Sequence, residues 1–283
     1  MGSALSIGRT AVLRLLRKRL APKGIVLGPL FILGFPRSGT TAMAKALARL
    51  ERFGAYGPEG HFLYLFAGPL NRIAKGEFNS NSFLQGEGVP QIVLGEFRAL
   101  ANRLYSARGD PADTVWIDKT PDVLQVRAVS AIDRLWPDAR YIFLYRPPAD
   151  AVRSSLALWH DRVAGRERAT AQRWVECQES WRGVREQLAG RYAEVFQPRM
   201  LAAPDRVAAA LQPVLDLRGD EVNKLARIWT KHPQMNRPGG ARGEAYDRVT
   251  LAPDIADAVA GITHEEAGHW PAIAAHAALK ENL

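Results

Sequence analysis

The chain contains a single cysteine, Cys177, among its 283 residues. One cysteine excludes an intrachain disulfide and a zinc site made of four cysteines. We expect Cys177 to be a buried apolar side chain in a reducing compartment. The sequence also lacks an apolar run near the ~20 residues that a membrane-spanning helix needs, and its N-terminus has no apolar core of the signal-peptide kind. Together these absences predict a cytoplasmic protein.

Acidic side chains are outnumbered, with 38 lysines and arginines against 29 aspartates and glutamates and a formal net charge of +9. A basic surface favours anionic partners, although charge alone does not distinguish a target from a solvated surface. The basic segment 1–24 carries leucines spaced among arginines, a short amphipathic pattern, and residues 1–6 match a myristoylation pattern. We expect this segment to be a solvated helix or frayed tail. Weak peripheral contact with a membrane is the alternative, and no specific nucleic acid is expected.

Residues 25–283 are expected to form a single α/β domain. Three short apolar runs predict buried strands, and a helical pattern follows each of them. The runs are Leu30–Gly34 (LFILG), 114–117 (TVWI) and 141–145 (YIFLY). Strands that are apolar throughout and alternate with helices indicate a central parallel sheet covered by helices on both faces, a P-loop-type three-layer fold.

Cationic residues follow each of the three predicted strands. Arg37 comes after the first strand, Lys119 after the second and Arg146 after the third. Ligands of open parallel sheets bind at the carboxyl ends of the strands. The three ends therefore predict one crevice that binds an anion.

Residues 34–41 have the skeleton of a phosphate-binding loop, two glycines separated by four residues at the start of a helix. The amides of Ser38, Gly39, Thr40 and Thr41 are expected to cradle a phosphate, with the helix N-terminus behind them. Nucleoside triphosphatases need a lysine where this chain has Thr40. Here the positive charge is three residues earlier, at Arg37.

The hexapeptide of residues 36–41 resembles the 5'-phosphosulfate loop of the sulfotransferase superfamily, which reads P-[KR]-S-G-T-T. In this chain it is Pro36-Arg37-Ser38-Gly39-Thr40-Thr41. Its second position is an arginine, in which it resembles the bacterial and tyrosylprotein branches of the superfamily. Members also bind the 3'-phosphate of the donor with an arginine after a strand and a serine eight residues later, a spacing that Arg146 and Ser154 match.

The resemblance is specific over residues 28–160. It implies the donor 3'-phosphoadenosine-5'-phosphosulfate (PAPS), no required metal, and an acceptor that the sequence does not identify. Asp118-Lys119-Thr120-Pro121 resembles a third segment of the family, with its lysine near the sulfate. The family also has a late basic loop over the 3'-phosphate, for which Arg237 and Arg242 are the candidates.

The catalytic base is expected between the first helix and the second predicted strand. In the tyrosylprotein branch it is a glutamate about twenty residues after the basic residue of the loop, and Glu59 follows Arg37 by twenty-two. His61 is the competitor, since an imidazole titrates near neutral pH. The third interpretation is that both side chains only hydrogen-bond within a loop. The implied mechanism is in-line attack of a hydroxyl or amine on sulfur, with Arg37 and Lys119 stabilising the leaving group.

Two other functions remain open at this point. A P-loop kinase or nucleotide hydrolase would use Asp118, after an apolar strand, to hold magnesium. A non-catalytic module for nucleic acid or anionic membranes would use the basic charge, with binding that weakens as salt rises. The aromatic residues after His61, Phe62 and Tyr64 among them, either wall the acceptor pocket or belong to the core.

Overall fold

The central sheet is parallel and has the strand order β2-β3-β1-β4-β5. A computed structural model of the chain describes residues 28–79, 81–107, 114–231 and 250–268. Within these ranges the strands are β1 (Leu30–Gly34), β2 (Phe53–Tyr56), β3 (Val115–Lys119), β4 (Arg140–Tyr145) and β5 (Tyr192–Phe196). Because β1 lies between β3 and β4, the carboxyl ends of all three meet at one edge.

Helices connect the strands and cover the sheet. Before β4 they are α1 (Thr40–Leu47), α2 (Phe62–Lys75), α3 (Val89–Ser106), α4 (Val123–Arg127) and α5 (Val129–Leu135). After β4 they are α6 (Pro148–Leu158), α7 (His160–Val163), α8 (Glu167–Arg185), α9 (Arg199–Ala202), α10 (Pro204–Leu215), α11 (Gly219–Lys231) and α12 (Pro253–Gly268). Short 3-10 turns occupy Phe83–Gln85 and Glu186–Leu188.

Alternate residues of the strands supply two separate apolar cores. Phe31, Tyr141 and Phe143 point to the core that contains Trp136, Trp174 and Trp181. Leu30, Ile32 and Ile142 point to the other core, with Met43, Leu211 and Trp229. Since successive side chains of a strand point to opposite faces, both faces of the sheet are buried. The predicted three-layer α/β fold is confirmed.

The three predicted strands are present, and β3 extends two residues further than the sequence indicated, through Asp118 and Lys119. Two strands were missed, because each is an edge strand with a weak pattern. β2 is only four residues long and contains Gly54. β5 includes Glu194, whose carboxylate accepts hydrogen bonds from Trp181 Nε1 and from Arg185 Nη1. The helical segment predicted after the second strand is divided at Ala128 into α4 and α5.

The burial expected for Cys177 is confirmed, and two tryptophans of α8 are buried with it. Trp174, Trp181 and Cys177 are fully buried, and burial raises the pKa of the Cys177 thiol. No helix in the described part of the chain is both long and apolar enough to cross a membrane. The basic segment 1–24 and the late arginines 237 and 242 lie outside the described residues.

Candidate active site

The loop between β1 and α1 lies at the centre of the carboxyl edge and is built by unusual backbone angles. Gly34 (φ 144°), Arg37 (φ 73°) and Gly39 (φ 90°) all have positive φ. A non-glycine residue in the left-handed region costs on the order of 1–2 kcal/mol, so the conformation of Arg37 is imposed by its surroundings. Ser38 closes the turn, because its amide (3.1 Å) and its hydroxyl (2.6 Å) both donate to the carbonyl oxygen of Phe35.

The bonds of Ser38 alter one detail of the sequence prediction. The sequence predicts that the Ser38 amide faces a phosphate, and its hydroxyl is a second possible donor. Here both are used inside the loop, so a phosphate contact from Ser38 would require a rearrangement. The amides in the first turn of α1, including Thr40 and Thr41, have no intrahelical acceptor by the geometry of a helix N-terminus.

Arg37, Arg146 and Ser154 lie together although they are far apart in the sequence. The Nη1 atom of Arg146 donates to the backbone carbonyl oxygen of Arg37 at 3.2 Å. The Nε atom of Arg37 donates to Ser154 Oγ at 3.0 Å. Arg146 and Ser154 are both buried, and Trp174 Nε1 holds the carbonyl of Arg146 at 3.1 Å. The predicted phosphate-binding loop and the Arg146–Ser154 pair therefore meet at the carboxyl edge of the sheet.

Two residues that the sequence did not indicate complete this part of the site. The ring of Trp159, at the end of α6, lies 5.9 Å from the guanidinium carbon of Arg37, within the range of a cation–π contact. Gln197 follows β5 and is buried against Gly39, where an added Cβ would approach Gln197 Cγ to 2.6 Å. In the sequence, the only signal for a strand that ends here is the apolar pair Val195-Phe196 before Gln197-Pro198.

A second cluster lies at the end of β3 and contains the candidate bases. The Nζ atom of Lys119 lies 2.6 Å from Glu59 Oε1, and His61 Nε2 lies 3.0 Å from Glu59 Oε2. The side chain of Lys119 is 9% exposed, whereas those of Glu59 and His61 are 34% and 49% exposed. The carboxylate thus meets a largely buried cation on one side and an open imidazole on the other.

Tyr64 and Glu59 contact the two ring nitrogens of His61. The Tyr64 hydroxyl lies 3.3 Å from His61 Nδ1, and Glu59 Oε2 lies 3.0 Å from His61 Nε2. Because a carboxylate only accepts hydrogen bonds, the Nε2 nitrogen carries the hydrogen that it donates to Glu59. Burial, and then the nearby carboxylates of Asp122 and Glu59, raise the pKa of Tyr64.

The loop that carries Glu59 is attached to β3 by backbone and side-chain contacts. The amide of Gly60 donates to Thr120 Oγ1 at 3.0 Å. The hydroxyl of Tyr105 donates to Asp118 Oδ2 beneath Gly60, and a Cβ at position 60 would collide with both of these atoms. Gly60 is thus needed for the close approach that places Glu59 beside Lys119.

The described residues hold no group of three or more histidine, cysteine, aspartate or glutamate side chains that is arranged to bind a metal ion. Of the site residues that the sequence indicated, Arg37, Arg146 and Ser154 meet in the first cluster. Glu59, His61 and Lys119 meet in the second. Their contacts with a donor or an acceptor remain predictions.

A model of the sulfotransferase family matches residues 29–221, which span β1 to the start of α11 and include both clusters. The chain belongs to this family. Sulfotransfer is therefore its general activity, and the family implies a nucleotide sulfate donor and an acceptor substrate. No significant match was found among the curated proteins.

Solved sulfotransferases share the fold at low sequence identity. The sulfotransferase domain of the Synechococcus PCC 7002 olefin synthase is 19% identical and has a TM-score of 0.53, over 87% of this chain and 98% of that one. The sulfotransferase domain of the curacin biosynthetic pathway is 18% identical, with a TM-score of 0.54, over 86% and 99%. A mouse sulfotransferase, SULT7A1, complexed with PAP, is 12% identical, with a TM-score of 0.52, over 90% and 89%.

Proposed function

We propose that this sulfotransferase transfers the sulfuryl group of PAPS to a hydroxyl or amine acceptor, with Glu59 as the general base. The observation that carries the proposal is the contact of Arg146 with the backbone of Arg37, whose side chain in turn contacts Ser154. This contact joins the predicted 5'-phosphosulfate loop to the predicted 3'-phosphate pocket. One nucleotide with phosphates at both ends of its ribose fits such a pair of adjoining sites.

The cations of the site have separate parts in the proposed donor complex. Arg146 is buried and has a planar guanidinium suited to a phosphate, and Ser154 offers a hydroxyl. Arg37 contacts Ser154 in this structure. We propose that its side chain stays beside the 3'-phosphate pocket before transfer and turns to the 5'-phosphosulfate during transfer, since both lie within reach of the loop. Lys119, on the other side of β1, lies beside the base and is placed to stabilise the sulfuryl oxygens.

Glu59 is the better base of the two candidates because of the bonds that each already makes. Both ring nitrogens of His61 already have partners, Nε2 the carboxylate of Glu59 and Nδ1 the hydroxyl of Tyr64. The carboxylate of Glu59 accepts from Lys119 and from His61, and each of its oxygens retains a further lone pair. His61 is then a positioning residue, which holds the carboxylate in its orientation.

In the proposed step the acceptor oxygen attacks sulfur in line with the bridging oxygen of the 5'-phosphosulfate. A new S–O bond forms to the acceptor while the bond from sulfur to the bridging oxygen breaks. The acceptor proton passes to Glu59, and adenosine 3',5'-bisphosphate leaves with the additional negative charge. Deprotonating the acceptor in the transition state is worth about 10²- to 10⁴-fold in rate.

The rival kinase mechanism is not favoured by the surroundings of Asp118. Its carboxylate is fully buried and bonded to the hydroxyl of Tyr105 beneath Gly60, so it does not face the crevice as a magnesium ligand would. The lysine that contacts the β- and γ-phosphates in P-loop kinases is also replaced by Thr40.

Calorimetric titration tests the choice of donor. We expect adenosine 3',5'-bisphosphate to bind at least tenfold more tightly than ATP with magnesium, because two charge-assisted contacts favour the 3'-phosphate. Tighter binding of ATP would overturn the proposal.

Substitution of the base tests the mechanism. With labelled PAPS and a panel of a phenol, a primary alcohol, a hexose and an arylamine, Glu59→Gln should lower turnover about 10²- to 10⁴-fold and leave bisphosphate affinity unchanged. Glu179→Gln, which removes an exposed carboxylate from α8, is the matched control. Full turnover in Glu59→Gln would exclude Glu59 as the base.

A further inference from the structure

Helices α2 and α3 expose large apolar side chains close to the proposed base. Exposed are Leu65 and Phe66 of α2 and Leu100 and Leu104 of α3. Single exposed leucines are ordinary on a protein surface, whereas a group of them beside a site marks a binding surface. We call the surface between the two helices that these four side chains line the α2–α3 groove.

The two helices run antiparallel, which brings one end of the groove to the catalytic cluster. The ring of Phe62, at the start of α2, lies 5.9 Å from the ring of Tyr105, near the end of α3. One turn later, the ring of Phe66 lies 5.2 Å from that of Phe97, in the middle of α3. The first turn of α2 follows directly on Glu59 and His61, so the end of α3 lies beside the base.

Helical spacing places the exposed side chains along one line. Leu65 comes four residues after His61, on the same face of α2. On α3, Leu100 and Leu104 continue the stripe of Phe97 at intervals of three and four residues. At 1.5 Å per residue, the stripe from Leu104 to Phe97 is about 10 Å long. The groove therefore begins at the His61–Glu59 pair and leads away from it.

The charges around the groove do not favour an anionic membrane as its occupant. The exposed charges of α3 are mixed, since Glu96 lies among Arg98 and Arg103 and Arg98 lies 3.9 Å from the carboxylate of Asp138. Lys75 at the end of α2 pairs with Glu77 at 3.3 Å. The feature that the groove adjoins is the candidate base, whose partner in the reaction is the acceptor.

We propose that the α2–α3 groove binds the apolar body of an amphipathic acceptor, whose hydroxyl group lies at Glu59. This inference rests on the function proposed above and names the class of its second substrate. A sugar or another wholly polar acceptor would leave the groove uncovered, whereas an alkyl or aryl chain would cover the leucines and extend along α3 from the base.

Two homologous series of acceptors test the proposal: 4-alkylphenols from methyl to octyl, and primary alkanols of increasing length. With PAPS as donor, kcat/KM should rise about two- to fourfold for each methylene that enters the groove. It should reach a plateau once the chain exceeds the length of the groove.

Two variants separate the groove from apolar surface elsewhere. In the double variant Leu65→Gln, Leu104→Gln, the octyl-to-methyl ratio of kcat/KM should fall about tenfold or more, while bisphosphate affinity stays unchanged. Ile92→Gln is the matched control, because Ile92 is as exposed as Leu65 (64% and 66%) but lies about 18 Å along α3 from Leu104. It should keep the wild-type ratio.

The outcomes distinguish this inference from the proposed function. Bisphosphate binding together with sulfation of short and long acceptors at equal rates, or of none in either series, would overturn the groove proposal alone. Binding to phosphatidylcholine vesicles that Leu65→Gln abolishes, without a dependence on chain length, would assign the groove to a lipid surface instead. If the protein did not bind the bisphosphate at all, the proposed function would be wrong, and the groove proposal, which rests on it, would be wrong as well.

Discussion

The two clusters that we propose as the donor side and the acceptor side of this sulfotransferase are built in different ways. On the donor side, the loop after β1 is shaped by positive φ angles and buried against β4 and β5, and Arg146 donates a hydrogen bond to its backbone. On the acceptor side, Glu59 and His61 are partly exposed, and their contacts join side chains. A backbone-built site fixes one ligand shape, whereas a site of exposed side chains can change its specificity by single substitutions. The difference fits one fixed donor and an acceptor that is particular to this protein.

The largest effect should come from a glycine on the donor side. At Gly34 the backbone has φ 144°, and a Cβ would collide with the carbonyl oxygen of Leu144 on β4. Gly34→Ala should destabilise the fold by about 3–5 kcal/mol, from strain and overpacking together. Urea unfolding measures it.

The matched control is Gly95→Ala on α3, where an added Cβ meets nothing within 4 Å. It should be neutral or raise stability by about 0.5–1 kcal/mol, because alanine is the better helix former. If the two substitutions changed the free energy of unfolding equally, the tight backbone packing that we assign to the donor side would be wrong.

The next largest effect concerns the buried arginine. Arg146→Met should weaken binding of adenosine 3',5'-bisphosphate about 10- to 150-fold, the equivalent of a lost hydrogen bond to a charged group. Arg134→Met removes the same charge from an exposed position on α5, near the opposite edge of the sheet, and should leave the affinity unchanged. Calorimetry at one ionic strength measures both, and unchanged affinity in Arg146→Met would remove Arg146 from the donor site.

The smallest effect should come from the residue that orients the base. His61→Gln should lower kcat about two- to tenfold, since it weakens one hydrogen bond to Glu59 and leaves Lys119 in place. Tyr64→Phe, which removes only the hydroxyl that contacts His61 Nδ1, should lower it less. Steady-state turnover measures both. A loss in His61→Gln as large as that in Glu59→Gln would make His61 the base.

The donor side was largely predictable because its signals are local in sequence. The strands LFILG and YIFLY, the loop of residues 36–41 and the eight-residue interval from Arg146 to Ser154 each lie within a short segment. Periodicity and glycine placement describe such segments well. The direct bond between Arg37 and Ser154 was not predictable, since the two residues are 117 positions apart, nor was the use of Ser38 within the turn.

For the acceptor side, the sequence indicated which residues take part but not how they contact one another. The order of the residues suggested Glu59 and His61 as bases, but not that Lys119 would pair with Glu59 across 60 positions. The aromatic residues after His61 had been left open between core and pocket wall. Phe62 packs, partly buried, against the core, whereas Phe66, on the next turn of the same helix, is exposed. That division depends on where α3 packs, which no local pattern encodes.

The sequence by itself determined a parallel α/β fold with cationic side chains at the carboxyl ends of its strands, because apolar runs, turn glycines and strand-end cations are read from neighbouring residues. The tertiary structure decided which side chains meet: the strand order placed β3 and β4 on either side of β1, and the packing of α3 on α2 set the apolar groove beside Glu59. Such contacts form only when helices cover both faces of the sheet, because that packing brings distant segments together. They therefore exist only in the folded chain.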